Sequence, residues 1–467
     1  MERTPRKPLR SDRVRVIGGG LAGCEAAWQL AHAGFSVELH EMKPAKRTPA
    51  QVSDRLAELV CSNSFRSASL DNAVGVIKEE MRRAGGFLMA CAEVAKVPAG
   101  DALAVDREVF ADTVEQRLLE LPNVERVPGE VTALPDDDVA TLVCTGPLTA
   151  EALASDIARA SGQERLAFYD AIAPIVEADS VDMEHAYFMS RYGKGEGTDY
   201  LNCPMTEAEF DAFYTALREA DRVAAKEFED LHYFEGCLPI EVLAERGRET
   251  LVFGPLKPVG LEHPETGVRP FAVLQLRKED VHGTAYNLVG CQTRLKQPAQ
   301  REVFRLIPAL REVSFLRYGA IHRNTYLDAP SLLDEVNGLR AAGGRYSNVF
   351  FAGQITGVEG YVESTASGLL TSWLVADLLQ ARPLDVPPET TLLGGLYRHA
   401  RGVLRADATR RYEPSNVTWA MVPPIRARAQ KRERRRLVAE RALRDLDGWL
   451  EGRRAREAFA GTSRPGT

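Results

Sequence analysis

Residues 14–42 read VRVIGGGLAGCEAAWQLAHAGFSVELHEM. Val14, Val16 and Ile17 make a short apolar strand, Gly18, Gly20 and Gly23 give the spacing GxGxxG, and 25–33 has the composition of a helix. Gly34 ends that helix, and a second strand begins at 37–39 and closes on Glu41, 23 residues after Gly18. Strand, glycine turn, helix and terminal acid together form a complete dinucleotide-binding unit and not an isolated motif. The first glycine permits the tight turn, the second lets backbone N–H groups approach a pyrophosphate, and the helix N-terminus supplies positive potential. Glu41 is placed to accept hydrogen bonds from ribose hydroxyls. The cofactor-binding residues expected here are Gly18, Gly19, Gly20, Leu21, Ala22, Gly23 and Glu41.

Working outward, the pattern predicts helix over 72–93, a helix starting near Asp106, and strands at 129–134 and 140–146, the second ending in Thr145-Gly146. The segment NVFFAGQITGVEGYVESTASGLLTSWLVADL (348–378) repeats the theme of buried strand, glycine-rich turn and long helix. Its helix start would hold another part of the same cofactor, which favours FAD over NAD. Gly353, Gln354, Thr356, Gly357, Glu359 and Gly360 are expected to line the flavin. Between the two units, alternating segments such as FAVLQLR (271–277) and AYNLVGCQT (285–293) predict a strand-rich insertion. The expected organisation is a polar leader over 1–12, the first part of the nucleotide domain over 13–180 and an inserted α+β domain over 181–330. The second part, with a basic helical end, follows over 331–456, and a disordered tail over 457–467.

At 467 residues the chain is too long for one ordinary core. With 45% hydrophobic and 27% charged residues it has the composition of a soluble globular protein. No window approaches the roughly 20 apolar residues of a membrane span, and the start, MERTPRKPLRSDR, is polar and basic, so a cytoplasmic protein is expected. The seven cysteines are scattered without a CxxC pair, which predicts free thiols, no metal site and no paired redox cysteines of a disulfide reductase. The net charge of −7 argues against nucleic acid as a partner, yet 401–456 holds 16 Lys/Arg against seven Asp/Glu, so a basic C-terminal face is predicted.

Nine segments then occur in order over nearly the whole chain: ELVCSNSFRS (58–67), VPAGDALAVDRE (97–108), ATLVCTGPLT (140–149), YDAIAPIV (169–176), RYGKGEGTDYLNCPM (191–205), FEGCLPIE (234–241), FGPLKPVGL (253–261), RYGAIHRNTY (317–326) and FFAGQITGVEGYVES (350–364). Together they resemble the folate- and FAD-dependent tRNA (uracil-5-)-methyltransferases, flavoproteins that make ribothymidine in the T-loop. The resemblance implies an α/β fold: an FAD-binding, doubly wound, Rossmann-like domain of the glutathione-reductase type with an inserted α+β domain. It also implies that 5,10-methylenetetrahydrofolate supplies the carbon, that reduced FAD supplies electrons, that NADH or NADPH regenerates the flavin, and that tRNA is the partner. Two positions depart from the family pattern, Cys291 in GCQT and Thr365 in ESTASG, and neither is expected to carry chemistry. The alternatives are a flavoprotein that modifies the tRNA wobble uridine with a partner GTPase, and an inert flavin-bearing RNA-binding protein.

Uracil C5 is a poor nucleophile until a group adds at C6 and places negative charge on C5. A thiolate suits that addition, and a second group must then remove the C5 proton. The resemblance makes Cys61 and Cys237 this catalytic pair and leaves open which is nucleophile and which is base. Ser62, Asn63, Ser64 and Arg66 would lower a thiol pKa if they faced Cys61. Candidate RNA-binding residues are Arg191, Lys194 and Arg323, with Arg317, in the middle domain, and Arg426, Arg428 and Lys431 in the basic segment 426–436. They would offset the few kcal/mol needed to flip a uridine out of its stack.

Overall fold

The computed structural model describes residues 9–10, 12–48, 50–162, 166–193, 197–223, 238–340, 345–404, 412, 414–425 and 430–462; of 166–170, 322–323 and 457–462 it describes the backbone only. Strand β1 (Arg13–Ile17), helix α1 (Leu21–His32) and strand β2 (Ser36–Glu41) form where the glycine motif predicts them. β1 lies centrally in a five-stranded sheet, ordered Val349–Phe351, Ala140–Val143, β1, β2, Val124–Pro128, with every pair parallel. The two returning strands, predicted from opposite ends of the chain, are therefore neighbours: Phe350 pairs with Leu142, and Leu142 with Val16.

The last strand of that sheet differs from expectation. Its residues are 124–128 and not 129–134. Gly129 takes φ +126°, which ends the strand, and Val131 and Leu134, the apolar residues that suggested a strand, pack instead against the core around Val143 and Phe351.

Helix α1 crosses the sheet against the long helix Tyr361–Leu379, and small residues allow the approach: a Cβ on Gly368 would run into the Ala22 backbone, and one on Gly353 would lie 2.7 Å from the Ala22 methyl. Helices α2 (Ala73–Arg83) and α3 (Phe87–Val94) complete that layer. Two buried carboxylates cap helices in trans. Glu25 of α1 accepts the N–H groups of Phe87 and Leu88 at 3.0 and 2.9 Å, and Glu80 of α2 accepts those of Leu392 and Leu393, both at 2.8 Å. Glu25 satisfies orphan donors at a helix start that has no side-chain cap of its own, and Glu80 adds to the Thr391 cap, which accepts the Gly394 N–H at 3.0 Å.

The chain leaves and re-enters this domain through the antiparallel pair Leu166–Ala171 and Ile321–Tyr326. Between them lies a six-stranded antiparallel sheet, ordered Tyr187–Phe188, Tyr200–Met205, Ala272–Lys278, Ala285–Leu288, Ile175–Glu177, Phe315–Arg317. It has its own core around Phe210, Phe213 and Phe304. The architecture is thus an FAD-type Rossmann-like α/β domain with an inserted α+β domain. The terminal helix Lys431–Thr462 packs on α2 and runs past 457, where a disordered tail was expected. Alanine, Arg and Glu at 455–458 favour continued helix, and the first glycine of that stretch comes only at 461.

Candidate active site

At the carboxyl ends of the parallel strands lies a cleft of about 1030 Å³, the open solvent at its mouth included. This is where doubly wound folds bind ligands. The turn 18–20, Leu21 and Ala22 form its floor. Gly18 adopts φ +104°, and a Cβ on Gly23 would overlap the Gly18 carbonyl oxygen. These two glycines serve the turn itself. A Cβ on Gly20 would meet nothing within 4 Å, so this glycine faces open space. Gly20 is also the N-cap of α1 and offers no side-chain acceptor, so the first N–H groups of the helix remain free for an anion.

Glu41, 5% exposed, borders the same cleft. Its Oε2 accepts the Gly19 N–H at 2.8 Å and its Oε1 that of Lys43 at 3.0 Å. These two bonds fix the carboxylate and leave each oxygen a second lone pair for a hydroxyl donor. On the far wall Gln354, Tyr361 and Ser364 face the cleft. The Gln354 amide donates to Glu359 at 2.6 Å, which sets its orientation. Gly353, Thr356, Gly357, Glu359 and Gly360 stand behind this wall: Thr356 caps the Gly353 carbonyl at 2.8 Å, Gly357 lies against Tyr412, and Gly360 starts the long helix. Much of the remaining lining comes from Met42 and Gln51, from Glu58 and Val60 of ELVCSNSFRS, from 129–131, and from 145–150, mostly within ATLVCTGPLT.

Cys61 follows Val60 of this lining. Of the six cysteines among the described residues it alone is not buried; burial pushes the thiols of Cys24, Cys91, Cys144, Cys203 and Cys291 up. The Cys61 and Ser62 N–H groups both donate to the Tyr361 hydroxyl, at 2.7 and 3.0 Å. Arg107 donates to the Leu59 carbonyl at 2.7 Å and to the Cys61 carbonyl at 3.4 Å, and Arg317 to the Val60 carbonyl at 2.8 Å.

The polar side chains that follow Cys61 in sequence turn elsewhere. Asn63 donates to the Val105 and Lys278 carbonyls at 3.1 and 2.9 Å, and its oxygen accepts from Arg277 at 2.9 Å. Ser62 accepts from Arg277 at 2.9 Å, Ser64 accepts the Arg66 N–H at 3.0 Å, and Arg66 pairs with Glu363. In place of the expected donors, Arg107 and Arg317 donate to the carbonyls around Cys61 and the Tyr361 hydroxyl accepts its N–H, because successive residues of the strand Ser64–Ser67 and its approach point to opposite faces.

Arg317, expected at the RNA, is a neighbour of Cys61. Arg191 turns inward, donating to the Val259 and Lys257 carbonyls and to Gln275. Lys431 is exposed at the start of the terminal helix, with Arg432 reaching Asp71 at 3.0 Å. Cys237, Lys194, Arg426, Arg428 and the side chain of Arg323 lie outside the described residues. Among the described residues no cluster of metal-ligating side chains occurs, and no helix is long and apolar enough to cross a membrane.

Residues 13–383 match the family described as glucose inhibited division protein A. A methylenetetrahydrofolate–tRNA-(uracil-5-)-methyltransferase TrmFO of Anaeromyxobacter dehalogenans strain 2CP-C is 54% identical over 441 residues, covering 94% of this chain and 97% of the relative. The protein of the same name from Geobacter sulfurreducens is 52% identical over 437 residues, covering 94% and 98%. In fold, the solved structure of Aquifex aeolicus GidA superposes with TM-score 0.65 over 94% of this chain and 74% of that one, at 14% identity. On sequence and fold together, the chain belongs to the glucose inhibited division protein A family, and within it to the group of the methylenetetrahydrofolate–tRNA-(uracil-5-)-methyltransferases.

Proposed function

We propose that the chain methylates uracil C5 in the T-loop of tRNA, with 5,10-methylenetetrahydrofolate as carbon donor, FAD in the cleft, and NADH or NADPH as the source of electrons. The observation that carries this reading is Cys61: the accessible thiol among the described cysteines adjoins a cleft built for a dinucleotide. The lining residues fit FAD. The open N-terminus of α1 and the space before Gly20 suit a pyrophosphate, Glu41 suits the adenosine ribose, and the Gln354–Tyr361 wall suits the flavin end. When bound, the flavin supplies the reducing electrons that complete a methyl group.

The chain's own residues do the rest. Cys61 and Cys237 divide two tasks: one thiolate adds to uracil C6, which makes C5 nucleophilic, and the other takes the C5 proton once the carbon is attached. Arg107, Arg317 and Tyr361 hold the backbone on either side of Cys61, so its sulfur has a fixed approach. The exposed cations at the start of the terminal helix, from Lys431 onward, supply phosphate contacts to the tRNA.

The test is direct. Purified protein is incubated with unmodified tRNA, methylenetetrahydrofolate and NADPH, and the digested RNA is analysed for 5-methyluridine. Product is expected with the wild type and none with Cys61→Ala, while the flavin spectrum of the variant is retained. Absence of product with the wild type refutes the reading.

A further inference from the structure

Two guanidinium groups from different domains converge on the same tripeptide. Arg107, the first residue of a helix in the nucleotide domain (Arg107–Leu119), holds the carbonyls of Leu59 and Cys61. Arg317, from the last strand of the inserted sheet, holds the carbonyls of Val60 and Ala50 at 2.8 and 3.2 Å. The three successive carbonyls of 59–61 are thus held by two guanidiniums, one from each domain. The charges are not balanced. Glu279 of the inserted domain pairs with Arg107 at 2.6 Å, the two side chains being 7% and 18% exposed. Glu58, the carboxylate nearest Arg317 in charge effect, is already held by Lys43 at 3.3 Å and by the N–H groups of Val52 and Ser53. Burial first, and then the charge of Arg107, pulls the Arg317 guanidinium below its ordinary value, while Tyr361, Cys61 and Glu58 act in the opposite sense. A negative charge at this point would relieve the repulsion, and Cys61 carries the nearest accessible group able to supply one.

We propose that Arg107 and Arg317 form a clamp, half from each domain, that stabilises Cys61 as a thiolate, and that Glu279 sets its strength by partly neutralising Arg107. The clamp rests on the reading of Cys61 as a working thiol. The three residues act through Cys61 and are positioning residues. The groups whose charges couple to Cys61 are Arg107, Arg317 and Tyr361, the two guanidiniums being held at the Leu59, Val60 and Cys61 carbonyls; Glu279 acts on Arg107 and Glu58 on Arg317.

The experiment measures alkylation of Cys61 by iodoacetamide in the FAD-loaded protein across pH, by mass spectrometry of the Cys61 peptide. Removing one opposing charge beside an ionisable group shifts its titration by about one unit or more. Arg107→Gln and Arg317→Gln are therefore each expected to slow alkylation at neutral pH roughly tenfold, with the high-pH plateau reached at higher pH. Arg107→Lys restores the rate, and Glu279→Gln, which keeps volume and frees the Arg107 charge, accelerates it. A merely structural role would change the plateau through accessibility and leave the midpoint in place. Unmoved midpoints in both arginine variants overturn the proposal. Where an arginine variant loses its flavin, Glu279→Gln decides alone, and a midpoint that stays or rises overturns it. Methyl transfer by Cys61→Ala is measured separately. If that variant still methylates while the midpoints move as expected, the clamp stands and the catalytic assignment of Cys61 falls.

Discussion

Replacing Tyr361 by Phe removes one oxygen and tests the site's construction. That oxygen accepts two backbone N–H groups, from Cys61 at 2.7 Å and Ser62 at 3.0 Å. The ring itself packs beside Phe65, with centroids 5.8 Å apart, and a phenyl ring keeps that contact. The loss is therefore polar, with little cavity term. A desolvated donor left without a partner costs about 1–3 kcal/mol. Two such donors on adjacent residues share one relaxation, and a water from the adjoining cleft relieves part of the loss, so the expected cost is about 2–4 kcal/mol. The local cost has a kinetic counterpart, since a displacement of ~1 Å at a reacting group lowers rates about a hundredfold. Urea unfolding of the flavin-loaded protein, followed by tryptophan fluorescence, reads the first effect, and single-turnover methylation the second. A Tyr361→Phe protein with an unchanged urea midpoint and a wild-type single-turnover rate would refute the role assigned to this hydroxyl.

Three further outcomes are expected. Gly20→Ala leaves the fold intact but weakens flavin retention, because its Cβ enters ligand space, whereas Gly23→Ala destabilises the apoprotein by striking the Gly18 carbonyl; flavin titration and thermal melts separate them. Burial pushes the Glu80 carboxyl from 4.5 to about 7, so the folded state holds a proton that the unfolded state releases. Stability from this group is present in acid and lost as pH rises through about 7, and Glu80→Gln should flatten the fall in urea midpoint between pH 4.5 and 7. Asp377 receives Arg453 at 2.9 and 3.1 Å and Arg382 at 2.9 Å; Asp377→Ala removes this shared carboxylate while Arg453 keeps Asp385 at 3.8 Å, so the cost falls at the low end of a broken buried pair, about 3 kcal/mol, and the substitution should expose the terminal helix to limited proteolysis.

The nucleotide unit was legible because its determinants are contiguous: strand, glycines, helix and Glu41 fall within 14–42, and each has a local physical requirement. The return at 348–378 was legible for the same reason. The strand at 124–128 was not. It is an edge strand with both faces partly exposed, so VERVP lacks the apolar signal that Val131 and Leu134 falsely supplied nearby. The surroundings of Cys61 were beyond reach for a different reason. Sequence neighbours suggested the donors, yet Tyr361 lies 300 residues away from Cys61 and Arg107 lies 46 away. Tertiary packing within the nucleotide domain brings these three together, and only Arg317 arrives with the inserted domain. Arg317 was noticed as a cation and assigned to RNA, whereas its guanidinium donates to the Val60 and Ala50 carbonyls; charge alone does not tell a solvent-facing guanidinium from one turned toward a backbone.

The segment 61–66 has three owners. Asn63 bridges a carbonyl of the nucleotide domain and one of the inserted strand Ala272–Lys278, Ser62 and Asn63 both receive Arg277 of that strand, and Arg66 reaches Glu363 of the helix behind the flavin wall. The insertion is therefore not an interchangeable module. A chimera that grafts this domain from a distant relative would have to bring the matching hexapeptide from the host domain with it, and substitutions at Ser62, Asn63 and Arg277 should be tolerated as sets and not singly.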